Sequence, residues 1–87
     1  GQELRGEGIV GLTRAFFYAG TPSLLVSLWK VDDASTAELM TFFYDHLQKT
    51  DGRDKAAALR QAQLKMIAEN RYAHPFYWAA FVLQGRS

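Results

Sequence analysis

Apolar residues fall along this chain in three helical rhythms and two nearly continuous runs. The first rhythm covers residues 9–19. Ile9, Leu12, Phe16 and Ala19 share one face and Gly11, Arg14 and Tyr18 another, which predicts a helix after a glycine-rich loop over residues 1–8. Gly20 follows as a left-handed C-cap, and Pro22 blocks continuation. Residues 24–29, LLVSLW, form an apolar run of strand length, suited to a strand covered on both faces. Ser35 with Glu38 reads as a capping box opening a second helix over about residues 36–49. Its polar stripe is Glu38, Thr41, Asp45 and Gln48, and its apolar face includes Met40, Phe43, Tyr44 and Leu47. Asp51 and Gly52 break that pattern. Asp54 then caps a third helix over about residues 55–70, on which Leu59, Ala62 and Met66 share a face and Asn70 is the stop. His74-Pro75 marks a turn. The last run, residues 76–83, reads as a strand, with a short buried helix over residues 75–80 as the alternative.

Three helices and two strands do not make a stable α/β sheet alone, because a two-stranded sheet is marginal. Ordering a chain of 87 residues costs on the order of 100 kcal/mol of conformational entropy. The expectation is that further strands come from a preceding part of the polypeptide or from another chain. The lack of an initiator methionine before Gly1 agrees with a processed chain or an excised piece.

Composition narrows the function classes. At 48% apolar and 14% aromatic, the chain has the makings of a globular core. Ten basic against nine acidic residues, net +1, argue against a dedicated nucleic-acid module. The absence of cysteine excludes a disulfide framework, a thiolate metal site and a cysteine nucleophile within these residues. The longest apolar run, residues 76–83, is far short of the roughly 20 residues that span a bilayer. Gly1-Gln2-Glu3-Leu4-Arg5 is not a signal peptide.

Several patterns carry candidate chemistry. Gly6, Gly8 and Gly11 match G-x-G-x-x-G, and Asp32 follows Gly11 at a ribose-binding distance, which imitates a dinucleotide fingerprint. That fingerprint needs a strand before the glycines, and only Gln2, Glu3, Leu4 and Arg5 lie between Gly1 and Gly6; a loop entering a helix is the simpler reading. Ser23, Ser27 and Ser35 lack a nucleophile-elbow context. His46 and His74 lack metal-ligand spacing. Asp32 and Asp33 suit a helix start, and matter chemically only if the end of the preceding strand lines a cleft. Trp29, Trp78, Phe76 and Tyr77 suit a core as well as a ligand-stacking surface. Lys49, Arg53, Lys55, Arg60 and Lys65 form a mildly basic stretch that Asp51 and Asp54 interrupt, a solvated face.

The order of motifs resembles the C-terminal portion of a CHAT domain, a caspase-like domain often found behind tetratricopeptide repeats. The resemblance rests on Arg5-Gly6-Glu7-Gly8-Ile9-Val10-Gly11-Leu12, Arg14-Ala15-Phe16 and Ala19-Gly20. It continues through Ser27-Leu28-Trp29-Lys30-Val31-Asp32-Asp33, Ser35-Thr36, Leu39-Met40 and Phe43-Tyr44. Ala57, Leu59-Arg60, Ala62-Gln63, His74-Pro75 and Trp78-Ala79-Ala80-Phe81 complete it. The resemblance implies a clan of cysteine peptidases that includes caspases and separases, with a six-stranded sheet between helix layers. On that plan residues 24–29 are the fifth strand and residues 78–83 the sixth, antiparallel to each other. The dyad Cys and His would both lie upstream of this chain, and neither His46 nor His74 matches the catalytic histidine.

The resemblance further implies that Trp29, Val31, Asp32 and Asp33 leave the sheet beside the primary specificity pocket and contribute to substrate binding. Separases carry a similar Trp-x-Val-x-Asp stretch, but their additional acids fall on Ser35 and Ala37 here, so a preference for basic residues is not carried over. The resulting expectation is an α/β chain: the C-terminal, groove-bearing segment of a cysteine endopeptidase, inert alone, with no catalytic residue, cofactor or metal of its own. Its expected partners are the upstream half of the domain, a polypeptide substrate or protein partner, and a second copy through the edge strand at residues 78–83. The edge beside residues 24–29 would also stand open. No nucleic-acid or membrane partner is expected, and the resemblance implies a cytoplasmic location. The alternative function is a non-catalytic interaction module; the remote one is a dinucleotide-binding fragment.

Overall fold

A computed structural model describes residues 13–18, 21–50 and 54–85. The fold class is α/β, as expected. Strand β1 (Thr13–Tyr18) is followed by β2 (Thr21–Ser27), helices α1 (Asp33–Lys49), α2 (Lys55–Glu69) and α3 (Pro75–Trp78), and strand β3 (Phe81–Gly85). The sheet order is β1-β2-β3, with both pairings antiparallel.

The first expected element is corrected. Residues 13–18, placed in a helix over residues 9–19, form β1, paired from Thr13↔Val26 to Tyr18↔Thr21. Thr13, Phe16, Phe17 and Tyr18 are β-branched or aromatic residues, which favour a pleated surface. A neighbouring strand also offers them a hydrogen-bonded ladder, whereas a helix this short is marginal by itself. Only two residues separate Tyr18 from Thr21, the spacing of a tight hairpin. Pro22 is tolerated because β3 pairs with β2 only from Ser23 onward, so Pro22 has a neighbour on one side only.

Strand β2 is therefore central, and the edge beside it that was expected to be open is covered by β1. Its two faces are both buried, as its continuous apolar run predicts: Leu25 and Val26, on opposite pleats, are each 0% exposed. The antiparallel pairing of this run with the last strand is as expected, in the register Leu25↔Leu83, Val26↔Val82 and Ser27↔Phe81. Both boundaries shift. β2 spans residues 21–27 rather than 24–29, with one further bond from Leu28 N–H to the Ala80 carbonyl at 2.9 Å. The last strand starts at Phe81, not at residue 78.

That second shift has a local cause. Pro75 sits at the first helical position with its φ already suited to a helix. His74 caps the turn, its Nδ1 accepting from Phe76 N–H at 3.1 Å. The Trp78 indole donates to the Ala73 carbonyl at 2.9 Å, and Gln63 Nε2 of α2 donates to the Trp78 carbonyl at 2.8 Å. The short-helix alternative over residues 75–80 is thus the observed one for Pro75–Trp78.

Helices α1 and α2 pack against each other and onto the Leu25 face of the sheet. Leu39, Met40, Phe43 and Leu47 of α1, Ala58, Leu59, Ala62 and Met66 of α2, and Leu25, Ala80 and Phe81 form one core. The α1 start differs from the expected capping box. Asp32 is the N-cap, its carboxylate accepting from Ser35 N–H at 2.9 Å, while Ser35 Oγ donates to the Asp32 carbonyl at 3.0 Å. Asp54 caps α2 as expected, accepting from Ala57 N–H at 3.0 Å, and Asn70 ends it in the left-handed region at φ 66°.

Candidate functional site

The four residues singled out for substrate binding lie where the chain leaves the carboxyl end of the central strand. Ser27 ends β2 fully buried, at 1% exposure, and Leu28 emerges at 39%. Trp29 then folds over α3. Its indole Nε1 donates to the Phe76 carbonyl at 3.0 Å, and the two rings stack at 6.3 Å with planes 28° apart. That contact joins segments 47 positions apart and fixes the β2–α1 connection to the turn that starts β3.

Val31 is half-buried and packs against the core. Asp32 is exposed, but one carboxylate oxygen serves the N-terminus of α1. Asp33 is the first residue of α1, exposed in its first turn, where a negative charge complements the helix dipole. Lys30, between Trp29 and Val31, is exposed. The connection thus presents apolar and aromatic surface from Leu28, Trp29 and Phe76 beside charged groups at positions 30, 32 and 33.

Phe76 was legible as an aromatic candidate; Leu28 and Lys30 were not singled out. A run that ends in solvent looks the same as one that ends in the core, and only the Trp29–Phe76 contact distinguishes them. Phe76 is 43% exposed, whereas Trp78 packs half-buried against the core. An aromatic network of Tyr72, Tyr77 and Phe76 continues behind the turn, with centroids 5.1 Å and 5.4 Å apart.

The histidines hold no metal-like arrangement. His46 lies in the last turn of α1, and His74 is the α3 cap. Among the described residues no group of three or more His, Cys, Asp or Glu could hold a metal ion, and no helix is long and apolar enough to cross a membrane. Gly6, Gly8 and Gly11 of the dinucleotide pattern lie outside the described residues. The residues from Thr13 on form a strand, where that reading needs a helix to carry the pyrophosphate.

A model of the CHAT domain family matches residues 1–86. Tetratricopeptide repeat protein 28 of Homo sapiens is 36% identical over 83 residues, covering 95% of this chain and 3% of that protein. Tetratricopeptide repeat protein 28 of Mus musculus is 37% identical over 79 residues, covering 91% and 3% respectively. The chain therefore spans 3% of the length of the curated relatives it matches. No solved structure matches it. The matched stretch takes in the Trp29–Asp33 connection, both long helices and the α3 turn, and on that footing the chain belongs to the CHAT domain family.

Proposed function

We propose that this chain is the polypeptide-binding, C-terminal part of a CHAT-domain cysteine endopeptidase, whose nucleophilic Cys and base His come from an upstream half. The observation that carries the reading is the fixed aromatic corner at the carboxyl end of β2, where Trp29 is bonded to and stacked on Phe76. In the mostly parallel sheet that the resemblance implies for the whole domain, crevices at strand carboxyl ends are the usual ligand sites. The exposed side chains of Leu28 and Phe76 offer apolar contact area to an extended peptide, and Asp33 offers an acceptor to its N–H groups. In the parent domain, thiolate attack on a peptide carbonyl would use the His as base. This chain would hold the substrate for that attack. Position 35 carries a buried serine that donates to the Asp32 carbonyl, and position 37 an alanine, so neither adds a negative charge for a basic side chain.

The test is steady-state kinetics of the full polypeptide on a peptide it cleaves. Trp29→Ala should raise KM by about tenfold with a smaller change in kcat, the pattern of lost ground-state binding. Asp33→Asn should act in the same direction more weakly. Unchanged KM in both variants would contradict the assignment of the groove. A second reading, a non-catalytic interaction module, is favoured by relatives named for tetratricopeptide repeats; there the full polypeptide binds peptides without cleaving them.

A further inference from the structure

We propose that the outer face of α2 is a docking surface for an acidic amphipathic helix of a partner protein. Helix α2 is apolar on two sides. Ala58, Leu59, Ala62 and Met66 face the core, while Leu64 and Ile67 stand on the outside, 44% and 42% exposed. Leu64 lies almost diametrically opposite the core stripe on a helix that turns about 100° per residue. Around it, Ala56, Arg60, Leu64 and Ala68 form an exposed i, i+4 ridge, with Ile67 beside it. A ridge of this kind is the surface that packs into the groove of a second helix, and the small residues at its two ends permit close approach. A helix that is apolar on both sides normally has something on both sides.

Charge identifies the occupant. Arg60 lies within the ridge, Lys65 on its flank, and Arg71 just past the helix end, all exposed. Lys65 rests over the Phe42 ring of α1 at 5.6 Å, which holds its ammonium at the border of the patch. Arg71 meets Glu38 at 3.7 Å, but its own side chain is 71% exposed and open to a second acid. The acid of α2, Glu69, is about 140° round the helix from Leu64. The apolar pair is thus bordered by positive charge, which steers an approaching acidic helix and sets its register. A second copy of this chain would set the same arginines on both sides of the contact.

The experiment uses the full polypeptide and two fluorescein-labelled helical peptides of roughly five turns, about 18 residues. Both carry leucine at i, i+3, i+4 and i+7; one has glutamate on the flanks and its twin has lysine. Fluorescence anisotropy should show saturable binding of the glutamate peptide and about tenfold weaker binding of the twin, the worth of two exposed ion pairs. Leu64→Asp with Ile67→Asp should abolish binding while circular dichroism stays unchanged. Arg60→Glu with Arg71→Glu should move the preference toward the lysine twin, which mere loss of folding could not do. Equal affinity for the twins, binding that survives Leu64→Asp, or no binding of either peptide would overturn the proposal. So would concentration-dependent dimerisation that Leu64→Asp abolishes, which assigns the face to a second copy.

Discussion

Asp32 shows how one residue can satisfy two readings. Its position after an apolar run suggested either a helix start or a ligand-facing acid. The structure uses its carboxylate as the α1 N-cap. Ser and Asp are equally good caps, so the Ser35–Glu38 spacing and the Asp32 carboxylate compete as start signals three residues apart, and the local pattern alone does not separate them. Lys55 was read as part of a solvated basic face, yet it is 4% exposed. It opens the core-facing stripe of α2, so its hydrocarbon stem lies where an apolar residue would. Among the described residues no carboxylate pairs with it. Removing its charge while keeping its stem should therefore be neutral or stabilising by up to about 1 kcal/mol in Lys55→Met, whereas Lys55→Ala should lose about 1 kcal/mol or more to the vacated volume. Urea midpoints of the two variants check this; a Met variant as unstable as the Ala variant would mean that the ammonium has a partner.

At the scale of elements, the long helices were legible to within a few residues. Their apolar spacing, the Asp54 cap and the Asn70 stop are strong local signals. The short elements were less so. Residues 13–18 fit a helical wheel and a strand about equally, and pairing with β2 decided between them. In the run from residue 76, Pro75 and the His74 cap start a helical turn that the continuous apolar pattern hides. Asn70 offers a clean test of a signal that was read correctly. Its φ of 66° suits glycine best, is tolerated by asparagine and costs most other residues. Asn70→Gly should leave stability unchanged or raise it slightly, and Asn70→Ala should lower it by about 1 kcal/mol. Thermal melts in which Ala and Gly variants coincide would contradict a left-handed cap.

At the scale of the whole molecule, the candidate groove was legible only through the order of its motifs. Composition and periodicity alone identify a small α/β chain, and nothing in them marks Trp29 as more than a core aromatic. The fold adds the reason for its importance: it bridges the end of β2 to the turn before β3. The same scale separates binding from chemistry. Zero cysteines leave the chain without the nucleophile that the proposed reaction needs. The most direct measurement is hydrolysis of a pooled set of internally quenched peptides by the isolated 87-residue chain and by the full polypeptide. The full polypeptide should cleave, a thiol-alkylating reagent should stop it, and the isolated chain should be silent. Turnover by the isolated chain that survives repurification and disappears on mutating one of its residues would contradict it, as would a folded full polypeptide that binds peptides and cleaves none.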